Sequence, residues 1–209
     1  MSDDLDLHHG PIGPNCVHLC VDMQRMFAED TDWRTPWMER VLPRVEALCR
    51  AAPDRTIFTR FIPAERPGQG EGTWRRYYES WESMTLEQMG RDMADLLPSL
   101  AAFHPPAEII DKTVYSPWCE PELDVRLRER GVDTLIVSGG ETDVCVLGTV
   151  LGGVDRGYRV IVAVDALCSS SDEMHDAMLA VYRRRYGQQI ETVLTETAIR
   201  EWIGAQASI

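Results

Sequence analysis

The chain has 209 residues, 44% hydrophobic and 26% charged, a balance that suits one compact domain with a full core and excludes a disordered or fibrous chain. Its formal net charge of -13 argues against a nucleic-acid phosphate backbone or an anionic bilayer as partner, since both would repel it. No apolar run approaches the roughly 20 residues that span a bilayer, and the acidic opening "MSDDLDLHHG" has no basic-then-apolar signal pattern, so a cytoplasmic protein acting on small molecules is expected.

Six apolar runs that end in polar or glycine-rich turns read as strands. In chain order they are "CVHLCV" (16–21), "TIFTRF" (56–61), "AEIID" (107–111), "DTLIVSGG" (133–140), "RVIVAVDA" (159–166) and a weaker "QIETVL" (189–194) suited to an edge. Between them, helical spacing covers 38–51, 86–97, 122–130, 144–157 and 173–186. Strands alternating with helices imply right-handed crossovers and a mostly parallel sheet of five or six strands covered on both faces. The expectation is a single three-layer α/β/α, Rossmann-like domain over 1–209. The stretch "PAERPGQGEGTWRRYYESW" (63–81) is too long for a simple connector and reads as a lid-like insert at about 63–85.

Ligands of such sheets bind beyond the carboxyl ends of the strands, so the residues just after each strand carry the most weight. Asp22 follows the first strand, Lys112 follows the third, and "SGGETDVCVLG" (138–148) follows the fourth, with Cys145 opening a helix. Taken singly, Asp22 reads equally as a capping or turn aspartate, Lys112 as a surface charge and Cys145 as a small packing residue. Together they form a coherent set. Cys145 attacks an electrophilic carbon, Asp22 takes the thiol proton and passes it to the leaving nitrogen, and Lys112 favours the anionic states. The helix N-terminus is expected to favour a Cys145 thiolate, and the backbone N–H groups of Glu141 and Cys145 to hold an oxyanion.

The six cysteines (16, 20, 49, 119, 145, 168) form no C-x-x-C pair, so neither a zinc knuckle nor a dithiol motif is indicated. His8 and His9 fall in what reads as a disordered terminus. A G-x-G-x-x-G dinucleotide fingerprint is missing, and no organic cofactor is expected. The glycines at 148, 152 and 153 suggest close backbone approach to the sheet or to another subunit.

The motifs "VDMQ", "DKTVYSPW", "SGGETDVCVLGTV" and "RGYRVIVAVDALCSS", the last followed by His175, resemble the isochorismatase-like cysteine hydrolase superfamily from Cys16 to about Val193. The resemblance implies an Asp-Lys-Cys triad at Asp22, Lys112 and Cys145, and a non-proline cis peptide at Gly140-Glu141 that points the Glu141 N–H into the oxyanion hole. It also implies cleavage of a C–N bond in a small amide, carbamoyl or ureido compound through a Cys thioester. Isochorismatases cleave a vinyl ether and typically lack the cysteine, so Cys145 points to amide chemistry. Hydrolysis of another bond, an ester or enol ether, and a non-catalytic small-molecule binder on the same fold remain open alternatives.

Nicotinamidases of this superfamily carry a metal site built from an aspartate and histidines after strand two. The corresponding stretch here, "FTRFIPAERPGQG", has neither, so no metal is expected. Relatives often assemble, so a homo-oligomer (dimer or tetramer) is expected. Candidate pocket walls are Phe27, Trp33, Trp37, Trp74, Tyr77, Trp81 and Trp118, each with ordinary packing as its competing reading. For Phe27 and Trp118 the resemblance adds weight, because family members place aromatics there against the substrate. Whether His175, Arg75 or Arg76 touch substrate is left open.

Overall fold

A computed structural model describes residues 5–206 of the chain. In chain order its elements are β1 (Cys16–Val21), α1 (Arg25–Ala28), α2 (Met38–Ala51), β2 (Thr56–Phe61), α3 (Thr73–Ser80), α4 (Leu86–Met89), α5 (Pro98–Ala101) and β3 (Glu108–Lys112). They continue with α6 (Pro121–Glu129), β4 (Thr134–Gly140), α7 (Cys145–Asp155), β5 (Arg159–Cys168), α8 (Asp172–Arg185), β6 (Ile190–Val193) and α9 (Thr195–Gln206). The six strands form one sheet in the order β3-β2-β1-β4-β5-β6, and every pairing is parallel.

The near-continuous apolar runs of β1 and β4 follow from burial on both faces, since a strand covered twice has no solvent side for polar residues. Alternate residues split between two cores. Cys16 and Cys20 of β1 pack with Val45 and Leu48 of α2 and Trp202 of α9, while Val17, Leu19 and Val21 pack with Leu123, Val150 and Tyr182 from α6, α7 and α8. The two cysteines thus share a face, as their spacing implies.

Three expectations change. The helical pattern over 86–97 is broken because Gly90, at φ +91°, ends α4. The chain then runs through a 3-10 turn at Arg91–Ala94 into a bridge between Leu96 and Gln24. A further helix, α9, covers the core with Ala198 and Trp202. The expected disorder at His8 and His9 is replaced by a strap: the Glu191 carboxylate accepts from both of their backbone N–H groups, at 2.5 and 3.0 Å. Among the described residues no helix is long and apolar enough to cross a membrane.

Candidate active site

Strand order reverses between β1 and β4, and the carboxyl ends of these two neighbours open a crevice at that point. Asp22 follows β1 directly. Its φ of +48° lies in the left-handed region that L-residues other than Asn and Asp rarely adopt. The turn is held by Asp22 N, which donates to Thr59 O at 3.2 Å, and by Thr59 Oγ1, which donates to Asp22 Oδ1 at 2.6 Å. Lys112, at the end of β3, reaches across β2 and donates from Nζ to Asp22 Oδ2 at 2.6 Å, to Val114 O at 3.2 Å and to Cys145 Sγ at 3.6 Å. An ammonium has three donors, and all three are used.

The fourth strand supplies the thiol. Gly139, at φ +108°, lies so close to β1 that an added Cβ would stand 2.0 Å from the Val21 carbonyl oxygen. Only glycine lets β4 deliver the next turn beside Asp22. The Gly140-Glu141 peptide is cis, and Cys145 is the first residue of α7. The N–H groups of Glu141 and Cys145 have no acceptor among the described residues.

The turn between them is pinned from the β5 and α8 side. Thr142 Oγ1 donates to Cys168 O at 3.1 Å and so accepts from His175 Nδ1 at 2.8 Å, while Tyr182 Oη donates to Thr142 O at 3.1 Å. Burial pushes the His175 imidazole down, which keeps it neutral near pH 7. Glu141 Oε1 accepts from Ser170 N at 2.8 Å, and Asp143 Oδ1 from Ser169 Oγ at 2.6 Å.

The electrostatics correct the expectation of a resting thiolate. Burial, and then the Asp22 carboxylate, push the Cys145 thiol well above its ordinary range, and the pull of Lys112 in the other direction is smaller. Burial alone lowers Lys112, but the Asp22 charge, with Cys145 adding to it, outweighs burial and holds the ammonium above its usual value. The resting site is therefore a protonated thiol beside a carboxylate and an ammonium.

Cys145 opens onto a cavity of about 270 Å³, just below the roughly 300–1,000 Å³ common for small-ligand pockets. Of the expected walls, Phe27, Trp33, Tyr77 and Trp81 line it. The other three lie elsewhere. Trp118 is buried behind α7, its Nε1 donating to Thr149 O at 2.8 Å and its ring stacked 5.7 Å from Tyr158. Trp37 packs 5.2 Å from His175, and Trp74 sits one layer back, 4.9 Å from Tyr115. Arg75, Arg76 and His175 are not among the lining residues.

Phe61, Tyr115, Arg34 and Asp32 line the cavity without having been singled out from sequence. Phe61 ends β2, so the rule that picked Asp22 picks it too. Lys112 Nζ lies 5.2 Å from its ring centroid. Gln24 was also passed over: its buried amide donates to Phe61 O and Ala94 O and accepts from Phe61 N, tying the ends of β1 and β2 together. Among the described residues no group of three or more His, Cys, Asp or Glu side chains is placed to hold a metal ion.

A family model described as the isochorismatase domain matches residues 16–196. An uncharacterized isochorismatase family protein of Bacillus subtilis is 32% identical over 104 residues, which are 48% of this chain and 57% of that one. The chain thus spans little more than half of that relative. The ureidoacrylate amidohydrolase RutB of Methylorubrum extorquens strain AM1 is 31% identical over 171 residues, covering 72% of this chain and 68% of its own. Among solved structures, a cysteine hydrolase from Pseudomonas syringae pv. phaseolicola 1448A is similar at a TM-score of 0.83 and 27% identity, covering 98% of this chain and 100% of that chain.

Proposed function

The chain belongs to the isochorismatase family, and on that premise we propose that it is a cysteine amidohydrolase acting on a C–N bond of a small amide, carbamoyl or ureido compound. The observation that carries the reading is the buried contact of Lys112 Nζ with Asp22 Oδ2 and Cys145 Sγ, with Cys145 lining an aromatic cavity. A relative named an amidohydrolase supports the bond type.

In this mechanism Asp22 accepts the thiol proton as Sγ adds to the carbonyl carbon, and the oxyanion is held by the N–H groups of Glu141 and Cys145. The protonated Asp22 then gives that proton to the departing nitrogen. The C–N bond breaks, and a thioester remains on Cys145. Water, deprotonated by Asp22, attacks the thioester, and collapse of the second tetrahedral adduct returns the acid and the protonated thiol. Lys112 aligns both partners through its contacts with Asp22 Oδ2 and Cys145 Sγ. Tyr77 and Trp81 of the 63–85 segment serve as a wall over the substrate. Assembly into a dimer or tetramer and a cytoplasmic setting complete the proposal.

The test is ammonia release from a panel of small amides and ureido compounds. Cys145→Ala is expected to lose turnover while keeping its thermal transition, and intact mass of the wild type quenched in acid is expected to reveal an acyl adduct confined to Cys145. A Cys145→Ala protein that still turned over at the wild-type rate would refute the nucleophile.

A further inference from the structure

The two N–H groups assigned to the oxyanion are aimed by contacts that lie outside the cavity. Glu141 O accepts from Val144 N at 3.1 Å and from Val146 N at 3.0 Å, while the Cys145 N–H between them in sequence has no acceptor among the described residues. The direction of that N–H, and of the Glu141 N–H, follows from where the backbone of Glu141 is held. The next residue holds it.

Every polar group of Thr142 is engaged by another element. Its N–H donates to Cys168 O at 2.9 Å, its Oγ1 donates to the same carbonyl at 3.1 Å, and its own carbonyl accepts from Tyr182 Oη at 3.1 Å. A hydroxyl has one proton, and this one is committed to Cys168 O, so across the 2.8 Å contact His175 Nδ1–H is the donor and Thr142 Oγ1 the acceptor. In the neutral ring Nε2 is then bare. His175 is buried in the first turn of α8, packs 5.2 Å from the Trp37 ring and is not among the residues that line the cavity.

We propose that His175 is a positioning residue for the reaction: through its Nδ1–H bond to Thr142 Oγ1 it fixes the turn from Gly140 to Thr142 and so aims the Glu141 and Cys145 N–H groups at the oxyanion, without touching the substrate. Trp37 steadies the ring from its other side. This deepens the amidohydrolase reading and rests on it. The oxyanion exists only in the transition state, so donors that are misaimed lower kcat and kcat/KM together and leave KM in place.

The test compares two substitutions on the amide panel. His175→Asn keeps an N–H close to the Nδ1 position, whereas His175→Leu keeps bulk and has no donor. His175→Leu is expected to lower kcat by about 10- to 100-fold with KM within about twofold, and His175→Asn to recover most of the loss. In a Thr142→Val background, where the acceptor is gone, His175→Leu should change kcat no further. If His175→Leu does not fold, His175→Gln, whose amide nitrogen stands at the Nε2 position, takes its place. A donor-free variant with wild-type kcat, or one no slower than His175→Asn, overturns the proposal.

If the wild type hydrolyses no amide, that failure bears on the reaction type, and benzaldehyde tests His175 by itself. Cys145 Sγ adds to the carbonyl carbon, the thiol proton ends on the carbonyl oxygen, and that oxygen enters the same hole with no C–N bond to break. The adduct is read as protection of Cys145 from iodoacetamide, located by peptide mass. It is expected to be about tenfold weaker in His175→Leu and close to wild-type strength in His175→Asn. Equal strength in the three proteins, or no adduct with the wild type, overturns the proposal.

Discussion

Lys112 is the one lysine among 21 lysine and arginine residues. The site explains the exception, because its acceptors are a carboxylate oxygen, a carbonyl and a sulfur arrayed around a single point, which suits a compact ammonium and not a planar fork. That singular lysine was a usable signal in the sequence. What sequence could not supply was burial and proximity: a helix N-terminus alone favours a thiolate, but burial of the sulfur, and then the Asp22 carboxylate beside it, reverse the balance. Removing either member of the Asp22–Lys112 pair leaves a buried charge uncompensated, at a cost of about 3–5 kcal/mol. Asn tolerates the left-handed backbone of Asp22, so Asp22→Asn isolates the carboxylate. Asp22→Asn and Lys112→Met are each expected to destabilise by that amount, and the double variant by clearly less than the sum. All three should lose activity by at least about 100-fold. Urea denaturation paired with ammonia release checks this, and strictly additive stabilities would refute the coupling.

At the scale of elements, strands were legible almost to the residue because β1, β2 and β4 are bounded by abrupt changes from apolar to polar or glycine residues. Their carboxyl ends placed Asp22 and Cys145 without any knowledge of packing. The cavity walls were harder, since an aromatic near a strand end faces either way and its direction is set by what stands opposite. Trp118 illustrates this: an added Cβ on Gly152 of α7 would meet its Cδ1 at 2.0 Å, so the indole fills the gap behind the helix. Gly152 thus answers to an internal ring, while Gly153 approaches Leu135 and Val160 of the sheet and Gly148 approaches Ser116. Alanine is normally the better helix residue by about 1 kcal/mol, yet Gly152→Ala is expected to destabilise by about 1–3 kcal/mol through overpacking. In a Trp118→Leu background the same substitution should cost much less. Thermal unfolding of the four proteins distinguishes this from a helix-propensity effect, which would stabilise α7 in both backgrounds.

For the whole molecule, the amino-terminal segment joins the last strand at the edge of the sheet. Glu191 of β6 is buried and accepts from the His8 and His9 N–H groups and from Arg159, which also donates to the carbonyls of Gly10 and Pro11. Arg159 opens β5, at the strand ends opposite those that carry Asp22 and Cys145. Burial raises the Glu191 carboxyl, but the Arg159 guanidinium and the two backbone donors outweigh it and hold the group below its ordinary 4.5. A carboxyl depressed on folding contributes stability above its unfolded value and loses it as pH falls through the folded value. The strap should therefore weaken in acid below about pH 4.5. Glu191→Gln leaves Arg159 without its anion and is expected to destabilise by about 3 kcal/mol at pH 7. The gap to the wild type should close progressively below pH 4.5, because protonation makes the wild type resemble the variant. Chemical denaturation at pH 7, 5, 4 and 3 measures the gap, and one that stayed constant across that range would show that the carboxylate is not what ties the segment down. Ammonia release from the amide panel at neutral pH should be unchanged under the proposed function, since the strap and the thiol occupy opposite ends of the sheet.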